Sequence, residues 1–137
     1  PRRRGPVIVR ERIPHPNGSL GVIINQNNGP RFDYHVVDAR VSFFRNNELD
    51  LILDLNTGDV MVISMFEANP NDYNFHFYNR PNQYNNTIDA ITINDVQIPL
   101  NSASVSLQPQ GTNGYIAVLN LHSIHDGNFN GTVNYIQ

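Results

Sequence analysis

The chain contains no cysteine, no tryptophan and no lysine, and its charged residues amount to only 15%, against roughly 25% in an ordinary domain. Without cysteine there is no disulfide framework, no thiolate zinc site and no thiol nucleophile. Without lysine, all nine basic residues are Arg. A chain free of primary amines suits a secreted, virion or toxin-like protein, which meets Lys-directed cleavage and amine cross-linking. Missing tryptophan removes the largest face on which a sugar ring stacks. No apolar run approaches the ~20 residues of a membrane-spanning helix, so membrane insertion is not expected. No heptad or long 3.6-residue periodicity is present, which excludes a coiled coil or helical bundle. Phosphate-binding glycine loops, the G-x-S-x-G nucleophile turn and the D-x-D-x-D-G calcium loop are all absent. No cofactor is implied.

What replaces charge is amide: 21 Asn and 6 Gln in 137 residues and 15.5 kDa. The few charges are polarised along the chain. Arg2, Arg3, Arg4, Arg10 and Arg12 give residues 1–12 a net +4, whereas residues after 45 carry −8, and no Arg lies beyond Arg80. The organisation expected is a basic arm over residues 1–5 and one domain over 6–137. The arm invites three readings. It docks on the acidic face of a neighbouring subunit, it is the remnant of a basic processing site, or it neutralises nucleic-acid phosphates. The acidic body argues against nucleic acid anywhere else.

Strand and turn signals recur about every ten residues. Glu48 to Leu55 (ELDLILDL) places Leu49, Leu51, Leu53 and Leu55 on one face, with Glu48, Asp50 and Asp54 on a solvated one. Asn46-Asn47 and Asn94-Asp95 read as two-residue hairpin turns, and Gly58 as the left-handed residue of a three-residue loop. Phe32, Tyr34 and Val36 alternate, as do Tyr73, Phe75 and Phe77. About eleven short strands, with Pro6 to Ile13 the first, predict an all-β protein: a single antiparallel β-sandwich of jelly-roll or Greek-key type. The expected core includes Leu49, Leu51, Leu53, Val60, Val62, Phe75, Phe77, Ile91, Ile93, Val118 and Ile136.

Two segments carry candidate chemistry. Residues 72–84 (DYNFHFYNRPNQY) mix rings, amides and a guanidinium. That is the combination that stacks on sugar rings and bonds their hydroxyls, and it makes Asp72, His76, Tyr78, Asn79, Arg80 and Tyr84 the candidate ligand residues. His122, His125 and Asp126 are the nearest approach to a metal set, although alternation along a strand sends His122 and His125 to opposite faces. Asp50 and Asp54 lie about 13 Å apart along one strand, too far for a glycosidase pair, while Asp54 and Asp59 flank one turn. N-x-[ST] sequons at Asn17, Asn85 and Asn130 fall in expected loops. The function expected is non-enzymatic: an assembling subunit of a virion or extracellular structure, partnered by other copies of itself. A carbohydrate-binding, lectin-like module is the alternative, and a hydrolase-type enzyme or toxin chain the third.

Overall fold

The computed structural model describes residues 20–80 and 83–137. Pro6 to Ile13, the Arg-rich arm and the Asn17 sequon lie outside the described residues. Ten strands are present among the rest and no helix: β1 (Gly21–Gln26), β2 (Arg31–Phe43), β3 (Glu48–Leu55), β4 (Val60–Phe66), β5 (Asn74–Phe77), β6 (Thr87–Ile93), β7 (Val96–Gln97), β8 (Leu100–Gln110), β9 (Gly114–Ser123) and β10 (Asn128–Ile136). They form one sheet in the order β4-β3-β2-β1-β10-β9-β8-β5-β6-β7, and β4 pairs again with β6 from Met61↔Ile93 to Phe66↔Thr87. That ladder closes nine strands into a barrel, leaving β7 as a short hairpin appendage. The expected two-sheet sandwich is therefore corrected. Inward-outward alternation is the same for a strand of a sandwich and a strand of a barrel, and only the long-range β4–β6 pairing separates them.

Closure with nine strands has a geometric consequence. An odd number of strands cannot alternate direction all the way round, so one neighbouring pair must run parallel. That pair is β5 and β6, with His76↔Thr87 and Phe77↔Ile88 in register. A parallel pair needs a return crossover, and the segment between Phe77 and Thr87 supplies it, its described residues forming no helix.

The interior is apolar throughout. Leu49, Leu51 and Leu53 of β3 meet Met61, Ile63 and Met65 of β4, Phe75 of β5, Ile91 of β6, Ala117, Leu119 and Leu121 of β9, and Ile136 of β10, all almost completely buried. Phe77 and Ile93 pack at its margin. Two strand faces differ from expectation. β4 buries Met61, Ile63 and Met65 in place of Val60 and Val62, and Val118 of β9 is 42% exposed. β4 carries apolar residues on both faces, so period two alone does not select one; on β9 the polar Asn120 and His122 share the face of Val118 and mark it as the outward one. In β2 the alternation of Phe32, Tyr34 and Val36 changes phase at a bulge between Val36 and Asp38, which turns Ala39 and Val41 inward. Asp50, expected on a solvated face, is fully buried on the outward side of β3, in register with Ser42 and Ser64. The outer face is covered there, and alternation does not report that.

The turns follow their chemistry. Asn46 and Asn47 (φ 63° and 61°) and Asn94 and Asp95 (φ 51° and 67°) all take the left-handed conformation of two-residue hairpin turns, and Gly58 has φ 88°. At the far end of the barrel, Asn side chains tie the loops together. Asn25 donates to the carbonyls of Asp126 and Asn128, and Asn27 to that of His125. Asn56 accepts from the His35 amide, and Asn94 accepts from the Val60 amide while donating to Asp59 at 2.7 Å. Close strand approach is set by glycine: a Cβ on Gly131 of β10 would lie 2.2 Å from the Val22 carbonyl oxygen of β1.

Charge is divided around the circumference. β8, β9 and β10 contain no Asp, Glu, Arg or Lys. Their outward rows run Ser106, Val118, Thr132 and Ser104, Asn120, Asn130 in register. β2 and β3 carry the opposite character: Arg31 pairs with Asp33 at 2.9 Å, and Arg40 bridges Asp38 and Asp54 at 3.8 and 3.7 Å.

Candidate functional site

The crossover forced by strand parity roofs a groove of about 500 Å³ on the outer wall. Its floor is made by side chains of three strands: Glu48 of β3, Phe66 of β4, and Thr87 and Asp89 of β6, with Phe77 and Ile88 behind them. Its roof is Tyr78, Asn79, Arg80 and Gln83. The floor is assembled by register, since Glu48 pairs with Phe66 and Phe66 with Thr87.

What holds the roof down is Asn86, which is 2% exposed. Its Oδ1 accepts from the amides of Ala68 and Asn69, both at 2.8 Å, and its Nδ2 donates to the carbonyls of Asn69 and Asp72 at 3.0 and 2.6 Å. Its own carbonyl accepts from the His76 amide at 3.2 Å. One buried amide thus fixes both the 67–73 loop and the return of the crossover, with all four side-chain hydrogen-bond positions filled.

The six candidate ligand residues are divided. Tyr78, Asn79 and Arg80 line the groove together. His76 is exposed on the outer side of β5, its ring edge-on to Tyr78 at 6.3 Å. Tyr84 is 80% exposed on the crossover and does not line the groove. Asp72 lies elsewhere, at the near mouth of the barrel. Sequence reading misses Glu48, Phe66, Thr87 and Asp89, which join the groove through the β3–β4–β6 ladder. The only sequence signal for Asn86 is its place at the end of the polar segment.

The remaining candidates separate. Asp54 pairs with Arg40, whereas Asp59 accepts from Thr57 Oγ1 and Asn94 Nδ2, both at 2.7 Å. Those two bonds, Thr57 first, hold the Asp59 carboxyl below its usual range. His122 points outward from β9, while Asp126 accepts from Ser123 Oγ at 3.3 Å inside the β9–β10 loop. No three His, Asp or Glu side chains among the described residues are placed to share a metal ion. Asn85 is an exposed loop residue as expected, but Asn130 sits within β10 on the charge-free face.

Compared with protein-family models, curated proteins and solved structures, the chain matches none.

Proposed function

We propose that this is a non-enzymatic recognition protein of an extracellular or virion surface, and that the groove beneath the 78–86 crossover holds a saccharide. The observation that carries this reading is the composition of one concavity: the rings of Phe66, Phe77 and Tyr78 beside the amides of Asn79 and Gln83, the Arg80 guanidinium and the carboxylates of Glu48 and Asp89. Rings supply flat apolar faces, and amide, guanidinium and carboxylate groups supply donors and acceptors that match vicinal hydroxyls. Clefts of a few hundred Å³ with a small number of convergent polar groups are the usual form of a small-ligand site. The experiment is a glycan array followed by calorimetry on the best binder. Tyr78→Ala and Asn79→Ala should each weaken binding about tenfold, whereas Asn28→Ala at the far end leaves it unchanged. A chain that retains no glycan, or whose binding ignores Tyr78 and Asn79, refutes the reading.

Self-assembly is a second reading, favoured by the charge-free wall of β8, β9 and β10. In a chain carrying −8 after residue 45, two copies meet there without like-charge repulsion, and interface cores are depleted of charge. The partner is a second copy. Light scattering should show a dimer or larger species that Val118→Glu returns to monomer; a monomer at every concentration excludes it. A glycan on Asn130 would stand in the middle of this face, so a glycosylated chain should be monomeric.

A further inference from the structure

The near mouth of the barrel holds a second concavity, separate from the groove. It encloses about 260 Å³, and its floor is the top of the core, Leu49, Phe75 and Leu107. Its wall is aromatic and acidic. Phe43 from the end of β2, Tyr115 from the start of β9 and Tyr73 from the 67–73 loop present rings, and Glu67 and Asp72 present carboxylates. Phe43 and Tyr115 are 6.3 Å apart, inclined at 49°. Phe43 and Tyr73 remain 37% and 41% exposed, an unusual state for rings that stand directly on a packed core. Arg45 and Arg80 are on neighbouring loops, and neither is among the described residues lining the cavity.

The walls are fixed by backbone. Tyr73 accepts at its carbonyl from the Leu107 amide at 2.8 Å, and the Glu67 amide donates to Asn47 at 2.9 Å. Asp72 Oδ1 accepts from the amide and side chain of Asn74, and the Asp72 carbonyl accepts from Asn86. The Glu67 carboxylate makes no hydrogen bond or ion pair with the described residues. Three rings, two carboxylates and an apolar floor form a cage for a cation that is also apolar. A bare ammonium or metal ion would lose more of its water against Leu49 and Phe75 than two carboxylates on one side replace. A methylated ammonium loses little, and gains from ring faces within about 6 Å.

We propose that the barrel mouth is a binding site for a quaternary or methylated ammonium group, held by Phe43, Tyr73 and Tyr115 with Glu67 and Asp72 as counter-charges. The decisive comparison is choline against 3,3-dimethylbutan-1-ol, which has the same shape and no charge. Both are titrated into the intact chain and followed by tyrosine fluorescence and by NMR shifts of the 67–74 amides. Choline should bind at least tenfold more tightly than the alcohol, and Glu67→Gln and Tyr73→Leu should each weaken choline about fivefold to tenfold. Glu67 is only partly buried and lies outside the core, so Glu67→Gln tests the site even if a ring substitution disturbs the fold. Equal binding of the two compounds, shifts confined to the groove, or no response to choline at tens of millimolar overturns the proposal.

Discussion

The two ends of the barrel solve the same problem differently. Each must join strands whose terminal amides and carbonyls lack ladder partners. The far end spreads the task over Asn25, Asn27, Asn56 and Asn94, each bonding a neighbouring loop in exposed or partly buried surroundings. The near end draws most of it into one buried residue, Asn86, which makes four side-chain hydrogen bonds beside the exposed ties of Gln110 to the Tyr135 amide and of Asp72 to the Asn74 amide. Distribution gives a closed end that tolerates loss of any one tie. Concentration leaves the mouth and the outer groove as open concavities, at the cost of heavy dependence on a single amide.

This contrast can be broken experimentally. A residue of the barrel belt sets the scale: Leu51, fully buried, should cost about 2–5 kcal/mol when replaced by Ala, read from the denaturant midpoint. Asn86→Ala should approach that value, about 3 kcal/mol, because it strands buried amides and carbonyls that water cannot reach. It should also abolish binding in the groove, while hydrogen exchange accelerates at 67–73 and at the return of the crossover and stays unchanged at the far end. Asn94→Ala should cost about 1 kcal/mol, since its partners lie at the surface and Ala tolerates a left-handed turn position poorly. If Asn86 and Asn94 prove equivalent, the contrast between the ends fails.

The far end should also be the one that responds to acid. Asp59, held below its usual range by Thr57 and Asn94, contributes stability that is present above its unfolded-state pKa and lost as pH falls through the lower folded-state value. The difference in melting temperature between the wild type and Asp59→Asn should therefore be fully developed at neutral pH and vanish under strong acid. A difference that grows on acidification would contradict the hydrogen bonds assigned to Asp59. The smallest effect belongs to Arg40→Ala, under ~1 kcal/mol, because its pairs with Asp38 and Asp54 are solvated.

Sequence legibility follows the range of the interaction. Asn46-Asn47, Asn94-Asp95 and Gly58 announce their turns because positive φ is a local demand that few residues meet. The inward leucines of β3 are legible because their neighbours are mostly polar. On β4 the contest between Val60-Val62 and Met61-Ile63 is decided by which side the β4–β6 ladder turns toward the axis, a fact residues 60–66 do not contain. The same ladder separates barrel from sandwich and brings Glu48, Phe66 and Asp89 to Tyr78, so the fold and half the groove were hidden by one cause. Asp50 and Asn86 were hidden by another: both are polar, and burial of a polar residue is set by what the rest of the chain lays over it.

The β1–β10 ladder, in which Gly21 faces Val133 and Gln26 faces Asn128, joins segments more than a hundred residues apart. Contacts of that separation slow folding, because a large loop must close before they repay the entropy lost. On the ribosome, β9 has an open edge until residue 136 has emerged, about one to three seconds at ~5–20 residues per second. During that interval the edge of β9, bordered by the charge-free residues of β8, presents the neutral strand type most prone to pair with another chain. The scarcity of charge that would let this wall meet a second copy in the finished barrel makes it the point of greatest hazard during synthesis, and aggregation of nascent or truncated chains should begin there.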